Sequence, residues 1–499
     1  MSITGPGSIT AANIASQTNM MNQLNTLAQE LGSNQAAQTY SGLQSQAGVA
    51  LSLNGQLSDI NGYSATAQMV GTTLSVAQSV LSQIDSASSS LQQTIGEQSG
   101  FNLNANGQTT TQADAATQLS NILSLLNTQV GDNYIFSGSA SNQPSVASAS
   151  DILNGNGAQA GLTQVISERQ QADLGTSGLG HLSATTSNST VTLSQDGTPF
   201  GFQLTGVDSS LTGATATGPS GSPPSIAVDL GSNPNSGDTI QFQLTLPDGS
   251  TQTISLQATT NSPPGANQFT IGASPAATAG YLQTALTSAI GSLAQTALPA
   301  ASAMAAANDF FDDPPQRVNG TPPDTSTALV NGTAANTVFW YTGENSATPA
   351  LQTATAQVGP SMTIDYGMRA NEPALTTLVA NVAVLAATTY SASDPNAEGN
   401  YQALSQDVAT NLGGQSGSQS ISDIEADLAN AQTTVSNAST LNTQTQTTLQ
   451  DMMQNIDGVN QNQIGEDILT LQNNLSASMS VSARLAQLSL VNYLAPVSG

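Results

Sequence analysis

Residues 53–95 read LNGQLSDINGYSATAQMVGTTLSVAQSVLSQIDSASSSLQQTI and carry the most regular apolar pattern of the chain. Apolar side chains recur at steps of three and four, broken once by Ser88, at Leu57, Ile60, Tyr63, Ala67, Val70, Leu74, Ala77, Leu81, Ile84, Leu91 and Ile95. Such spacing places a narrow seam along one face of a helix. At 1.5 Å per residue, an unbroken helix over this stretch would be about 64 Å long. We therefore expect it to lie along another long helix.

Matching seams occur towards both ends of the chain. The N-terminal positions are Met20, Leu24, Leu27, Leu31, Leu119 and Leu123. The C-terminal positions are Ile421, Ile424, Leu428, Ala431, Val435, Ala438, Ile464, Ile468, Leu471, Leu475 and Leu488. The helix that carries Leu123 is expected to stop at Gly131. Because neither end can bury its seams alone, the simplest arrangement packs the N- and C-terminal helices together.

The centre of the chain, residues 138–396, contains most of the β-like alternation. Apolar and polar residues alternate over 240–246 and again over 254–258, and Pro-Asp-Gly at 247–249 lies between them. This pattern predicts a β-hairpin. Shorter strands are expected at 190–193, 200–204, 226–230, 337–341 and 361–366. Helices are expected over 276–307, interrupted at Pro299, and from Pro373, capped by Asn371.

These patterns together predict an α+β protein. We expect a long antiparallel, coiled-coil-like helical bundle formed by paired N- and C-terminal segments, with a mixed β-rich domain inserted between them.

The composition limits the functions that the chain could perform. It has 31 Asp and Glu against 4 Lys and Arg, a net charge of -27, and all four cations are arginines. Binding to nucleic acid or to an anionic membrane surface needs clustered Lys and Arg, so neither partner is expected. The sequence has no cysteine, no lysine and one histidine, His181. Most nucleophilic and general-base chemistry is thereby removed, and we expect a structural protein rather than an enzyme.

Few residues suggest a chemical site. His181 has no second His or Cys near it, and the adjacent carboxylates at 312–313 and 466–467 lack the spacing of a calcium loop. The Phe-Trp-Tyr triplet at 339–341 is expected in a core or domain interface rather than as a ligand platform. We expect no catalytic residue, no cofactor and no metal site. Neither a cleaved signal peptide nor a membrane-spanning segment is expected.

Several short stretches form distinctive motifs. The helix that carries Leu123 leads into DNYIFSG at residues 132–138, which is similar to the junction between the rod domain and the outer domains in the bacterial flagellin superfamily. The chain closes on LAQLSLVNYL at residues 485–494. In the middle, VFWYTGE at 338–344 and IDYGMRANE at 364–372 resemble a domain inserted in some bacterial flagellins.

The resemblance implies a structural subunit of the bacterial flagellar filament, which self-assembles into a helical tube for motility. It implies an extracellular location, reached by type III export without a cleaved signal peptide. The implied partners are further copies of the chain, hook-associated proteins, a cap and an export chaperone. A hook–filament junction protein of the same superfamily fits the YIFSG motif at residues 134–138 equally well, but the large inserted domain favours the filament subunit. A surface adhesin is an alternative from another class.

Five segments follow from the same resemblance. They are an N-terminal inner-tube helix (1–40), the N-terminal part of a helical rod domain (41–140), β-rich inserted outer domains with helices (141–397), the C-terminal part of the rod domain (398–458) and a C-terminal inner-tube helix (459–499).

The residues expected to carry subunit assembly are apolar and fall into two groups. The inner-tube group comprises Met20, Leu24, Leu27, Leu31, Ile468, Leu471, Leu475 and Leu488. The rod seam comprises Leu74, Leu81, Ile84, Leu123, Leu428 and Val435. Subunits that each carry a charge of -27 repel one another in a packed array unless most acidic groups lie outside. The only acidic residues in positions 1–100 are Glu30, Asp59, Asp85 and Glu97. This low charge favours the N-terminal helices as the interior of the array.

Overall fold

The computed structural model describes residues 6–37, 39, 43, 45–97, 100–414 and 417–493, with side chains for all of these except 6–10, 485–486 and 488–493. The described chain contains both helices and strands, which confirms the α+β part of the predicted fold class. It forms two compact units. One takes in the described residues of 1–71, 356–364 and 433–499, and the other those of 72–355 and 365–432.

The helices begin and end at defined residues. They are α1 (Pro6–Ser33), α2 (Ala47–Gly96), α3 (Thr110–Leu126), α4 (Ala149–Asn154), α5 (Leu162–Leu174), α6 (Pro275–Gln295), α7 (Ala297–Phe311), α8 (Pro373–Ala387), α9 (Ala397–Leu412), α10 (Ile421–Asp457) and α11 (Gln461–Tyr493). The unbroken α2 confirms the helix predicted over residues 53–95.

The strands are short. They are β1 (Gln129–Val130), β2 (Asn133–Tyr134), β3 (Leu182–Ser187), β4 (Thr190–Gln195), β5 (Gln203–Ser209), β6 (Ala214–Ser220), β7 (Ser225–Leu230), β8 (Thr239–Thr245), β9 (Thr251–Thr259), β10 (Gln268–Thr270), β11 (Gln316–Val318), β12 (Leu329–Asn331), β13 (Thr355–Gly359) and β14 (Met362–Asp365).

The first unit consists of long helices and a small hairpin. Its α1 lies antiparallel to α11. The beginning of α2 packs against the end of α10 through an apolar cluster that comprises Leu53, Leu57, Ile60, Tyr63, Leu449, Met453 and Ile456. The β13–β14 hairpin is attached to α10 by the buried Asn442, whose Nδ2 donates to the Val358 carbonyl at 2.9 Å. Its apolar seams thus pair N-terminal with C-terminal segments.

The second unit contains two four-stranded sheets that share a core with α6. One sheet has the order β3-β4-β7-β6 and the other the order β10-β9-β8-β5. The predicted hairpin is confirmed as β8 and β9, with Ile240 opposite Leu256 and Phe242 opposite Ile254. The stripe of α6 at 282, 286 and 290 is fully buried against both sheets.

The helices of the second unit pack around the alanine-rich α7, which contacts α5, α8 and α9. Nearby, α3 packs on α8 through the buried Gln112. Its side chain completes a capping box with Thr109, and its Nε2 also donates to the carbonyls of Leu385 and Thr388 at 3.2 and 2.8 Å. One amide therefore fixes both the start of α3 and its position on α8.

Several predicted boundaries were wrong. The break in the alanine-rich stretch falls at Thr296, and Pro299 lies in the first turn of α7, where a missing N–H costs nothing. The helix α3 ends at Leu126 because Asn127 turns its side chain to the backbone of the following loop, and Gly131 lies in the β1–β2 turn. Glu372, not Asn371, is the N-cap of α8.

Two strand predictions also need correction. The strand expected at 200–204 begins only at Gln203, because Phe200 is buried in a separate cluster with Ala172 and Val318. The stretch at 337–341 makes only isolated bridges, one to Ala160 and one to Val146, and is not a strand. The predicted five-segment division remains a prediction. The two compact units each contain part of α2 and part of α10.

Candidate assembly surfaces

Hydrogen bonds from side-chain amides join the α1–α11 pair near both of its ends. Gln17 Nε2 on α1 donates to Ser482 Oγ on α11 at 3.0 Å. Towards the other end, Gln461 Nε2 donates to Asn34 Oδ1 at 3.1 Å. These two contacts fix an antiparallel register in which N-terminal residues near 17 lie level with C-terminal residues near 480. Neutral amides and hydroxyls provide this register without adding charge to the pair.

The apolar stripes of this pair remain incompletely covered. Six of the predicted inner-tube residues are only half-buried, namely Met20, Leu24, Leu27, Ile468, Leu471 and Leu475. Leu31 is 38% exposed, and the side chain of Leu488 lies outside the described residues. Five other large apolar side chains of the two helices are exposed, at Ile14, Met21, Leu469, Met479 and Val481. Among the described side chains of α1, none that is apolar is fully buried.

A groove of about 550 Å³ runs between the two helices. Leu27 and Leu471 provide its apolar lining and are half-buried, so they form its floor, whereas the Asp467 carboxylate is exposed at its rim. The remaining lining side chains are polar and uncharged, at Asn22, Gln23, Thr26 and Thr470. An apolar floor with one anionic rim suits an amphipathic helix that carries a cation.

The predicted rod-seam residues occupy a different environment. Leu74, Leu81, Ile84, Leu123 and Leu428 are buried in the second unit, and Val435 is buried in the first. Their side chains are covered within one chain, so a second copy cannot touch them. They form the folded core, whereas the half-buried residues of α1 and α11 form a surface.

The three central motifs that carry the flagellin resemblance converge in the second unit. The Gly138 N–H donates to the Met368 carbonyl at 2.9 Å, and the Glu344 N–H donates to the Ser137 carbonyl at 2.9 Å. Arg369 Nε lies 3.2 Å from Glu344 Oε2. Gly138 has a φ of +61°, a left-handed backbone conformation that favours glycine. Sequence reasoning treated these stretches separately.

Three arginines are used in internal ion pairs, which the sequence did not reveal. The pairs are Arg169–Asp173, Arg169–Asp309, Arg317–Glu168 and Arg369–Glu344. Burial raises the pKa of Asp173 above its ordinary value although the nearby Arg169 acts in the opposite direction. Arg169 also lies over the Phe200 ring at 5.4 Å. All four ion pairs lie within the second unit.

His181 forms a structural contact. Its Nε2 lies 2.6 Å from the Ala172 carbonyl, and its Nδ1 contacts the Asp196 carboxylate. Burial alone would raise the pKa of Asp196, but hydrogen bonds from His181 and Thr198 outweigh it and hold that pKa below its usual range. The imidazole thus connects the end of α5 to the end of β4.

The central aromatic triplet packs internally around its tryptophan. Trp340 is buried, and its Nε1 donates to the Phe311 carbonyl at 3.1 Å. The ring also packs edge-on against Phe311, with centroids 5.2 Å apart. The expectation of a core position is confirmed for Trp340, whereas Phe339 and Tyr341 are half-buried.

A cavity of about 790 Å³ in the second unit lies beside the β8–β9 turn and α9. Its lining includes three carboxylates, those of Asp85, Asp248 and Asp407. Burial and the charge of Asp248 raise the pKa of Asp407 to about 6. Across the part of the chain that the structure describes, no group of three or more His, Cys, Asp or Glu side chains could hold a metal ion.

No described helix is long and apolar enough to cross a membrane. No family model and no curated protein matches this sequence.

Proposed function

We propose that this chain is a structural subunit of the bacterial flagellar filament, which polymerises through α1 and α11. The observation that carries the proposal is the incompletely covered apolar surface of that pair. Apolar side chains line both helices, yet their own chain buries them only in part. Contiguous exposed apolar surface of this kind is typical of protein–protein interfaces.

The shape of the pair supports an assembly that needs many copies. A two-helix pair has one contact face and cannot surround its own apolar stripes. Further copies packed side by side would cover the residues that now remain half-buried, as in a bundle. The tube interior of the proposed filament is formed in this way.

The charge distribution supports the same arrangement. The described part of the α1–α11 pair holds three carboxylates and one arginine, whereas most of the acidic residues lie elsewhere in the sequence. A weakly charged interior reduces repulsion between packed subunits, and acidic groups on an outer surface are screened by salt. The central domain would form that surface.

The resemblance of residues 132–138, 338–344 and 364–372 to flagellin sequences also supports the proposal. It implies export to the outside of the cell without a cleaved signal peptide. It further implies contacts with hook-associated proteins, a cap and an export chaperone.

The test is electron microscopy of the purified full-length protein under conditions that promote polymerisation. We expect long filaments from the full chain and none from a chain lacking residues 464–499. Antibody labelling of cells should then decorate the filament along its length. Absence of filaments at every concentration would refute the proposal, and labelling only at the filament base would indicate the junction protein.

A further inference from the structure

Charges on the α1–α11 pair are segregated to opposite ends. Glu466 and Asp467 lie near the beginning of α11, and the antiparallel register places Glu30 of α1 beside them. Arg484 lies near the other end of α11 and is exposed. Within the described residues, none of these four side chains forms an ion pair in its own chain.

Arg484 is too far from these carboxylates to pair with them. At 1.5 Å per residue, positions 467 and 484 of one helix are about 26 Å apart. That separation is roughly three Debye lengths at physiological salt. The sequence has no Asp or Glu in residues 1–29 or 468–499, so α1 and α11 offer Arg484 no nearer side-chain carboxylate.

The groove between α1 and α11 has the complementary composition. Its floor is formed by Leu27 and Leu471, and Asp467 stands at its rim. On the distal part of α11, Val481 and Arg484 are three residues apart, both exposed and on one helix face. An apolar residue and a cation on one face match an apolar floor and an anionic rim.

We propose that the groove of one copy receives the distal α11 segment of a second copy, with Arg484 paired to Asp467. Val481 then packs on Leu27 and Leu471, and the aliphatic stem of Arg484 covers the groove floor. Glu30 and Glu466 strengthen the negative potential around the bound guanidinium. This inference rests on the proposed function and specifies the contact through which that assembly grows.

The contact explains why such an assembly would be open-ended. The two complementary surfaces lie on different parts of one molecule, so the contact is heterologous and each added copy presents a new free groove. A two-fold contact through the grooves would instead bring carboxylates together and is disfavoured. Successive copies would be displaced by about 26 Å along the helix axis.

A charge exchange between two variants tests the contact. Arg484→Glu places a glutamate opposite Asp467 at the contact, and Asp467→Arg places an arginine opposite Arg484. We expect each variant alone to show a critical concentration for polymerisation at least about tenfold above that of the unchanged protein. An equimolar mixture should polymerise nearly as well as the unchanged protein, because each variant offers the charge that the other needs. Asp451→Arg, an equal charge change at an exposed site on α10, is the control and should have no effect.

The outcomes separate this inference from the proposed function. If both variants polymerise normally, or if folded variants fail to rescue each other in the mixture, the contact is refuted and the filament proposal stands. If the unchanged protein forms no polymer, the filament proposal itself fails. Far-UV circular dichroism checks that each variant is folded, and Arg484→Gln replaces Arg484→Glu should the latter be misfolded. The glutamine variant is expected to polymerise less well than the unchanged protein, and normal polymerisation by it would also refute the contact.

Discussion

Replacement of Leu469 by asparagine should weaken polymerisation without weakening the fold. Leu469 lies on α11 and is 62% exposed, so the single chain gains little from it. Complete burial of a leucine is worth about 1.5–3 kcal/mol, and the part still exposed therefore represents about 1–2 kcal/mol. If assembly buries this remainder, Leu469→Asn should raise the critical concentration about 5- to 30-fold.

The critical concentration is measured by sedimentation of polymer at increasing protein concentration. The matched control is Leu441→Asn, since Leu441 is 52% exposed but lies on α10. The control variant should polymerise like the unchanged protein, and thermal unfolding of both monomers should be unaltered. Equal critical concentrations for Leu469→Asn and the unchanged protein would show that this face of α11 does not enter the interface.

Three further predictions concern the fold. Leu81→Ala empties a fully buried seam position and should lower the free energy of unfolding by about 2–5 kcal/mol, measured by denaturant titration. Leu81→Asp buries a charge at the same position and should prevent assembly altogether. Gln112→Leu removes the capping amide and leaves the Leu385 and Thr388 carbonyls short of a donor, which should cost about 2–3 kcal/mol in the same assay. Because Asp407 has a pKa raised to about 6, it binds a proton more readily when folded, so its own contribution to stability should be greatest below about pH 4 and decrease as the pH rises through 6. Asp407→Asn should remove this pH dependence of stability and should stabilise the monomer at pH 7 by about 1 kcal/mol, after allowance for solvent screening at this half-buried site. An unchanged pH profile of stability in that variant would show that Asp407 is not its source.

The helical parts of the fold could be predicted because their signal is local and periodic. The seam through Leu74 and Leu81 needs no knowledge of its partner to indicate a helix. The β8–β9 hairpin was equally accessible, since alternation and a Pro-Asp-Gly turn lie within one short stretch. The pairing of α1 with α11 followed from the need to bury two unsatisfied stripes.

Other features depend on residues that are distant in the sequence. The ion pair between Arg317 and Glu168 joins positions 149 residues apart, and no spacing rule indicates it. The dual role of Gln112 is likewise set by carbonyls that α8 brings near it. The helix break was wrongly predicted at Pro299 because a proline can either interrupt a helix or occupy its first turn. Contacts with neighbouring residues decide between the two positions.

Burial also divided the predicted assembly residues in a way that the sequence could not. Leu81 and Leu471 have the same apolar spacing, but Leu81 is fully covered by its own chain and Leu471 is not. Periodicity identifies an apolar face and leaves open whether the same chain or another copy covers it.

Methionine oxidation tests assembly through the α1–α11 pair directly, because α1 and α11 each carry an exposed methionine. Met21 and Met479 are both 50% exposed, and Met452 on α10, at 45%, is an internal reference. Mass spectrometry after brief peroxide treatment would compare oxidation rates in monomer and polymer. If the α1–α11 pair forms the interface, Met21 and Met479 should be oxidised much more slowly in the polymer than in the monomer. The oxidation rate of Met452 should be nearly the same in both. Equal oxidation of Met21 and Met479 in both states would contradict assembly through the α1–α11 pair.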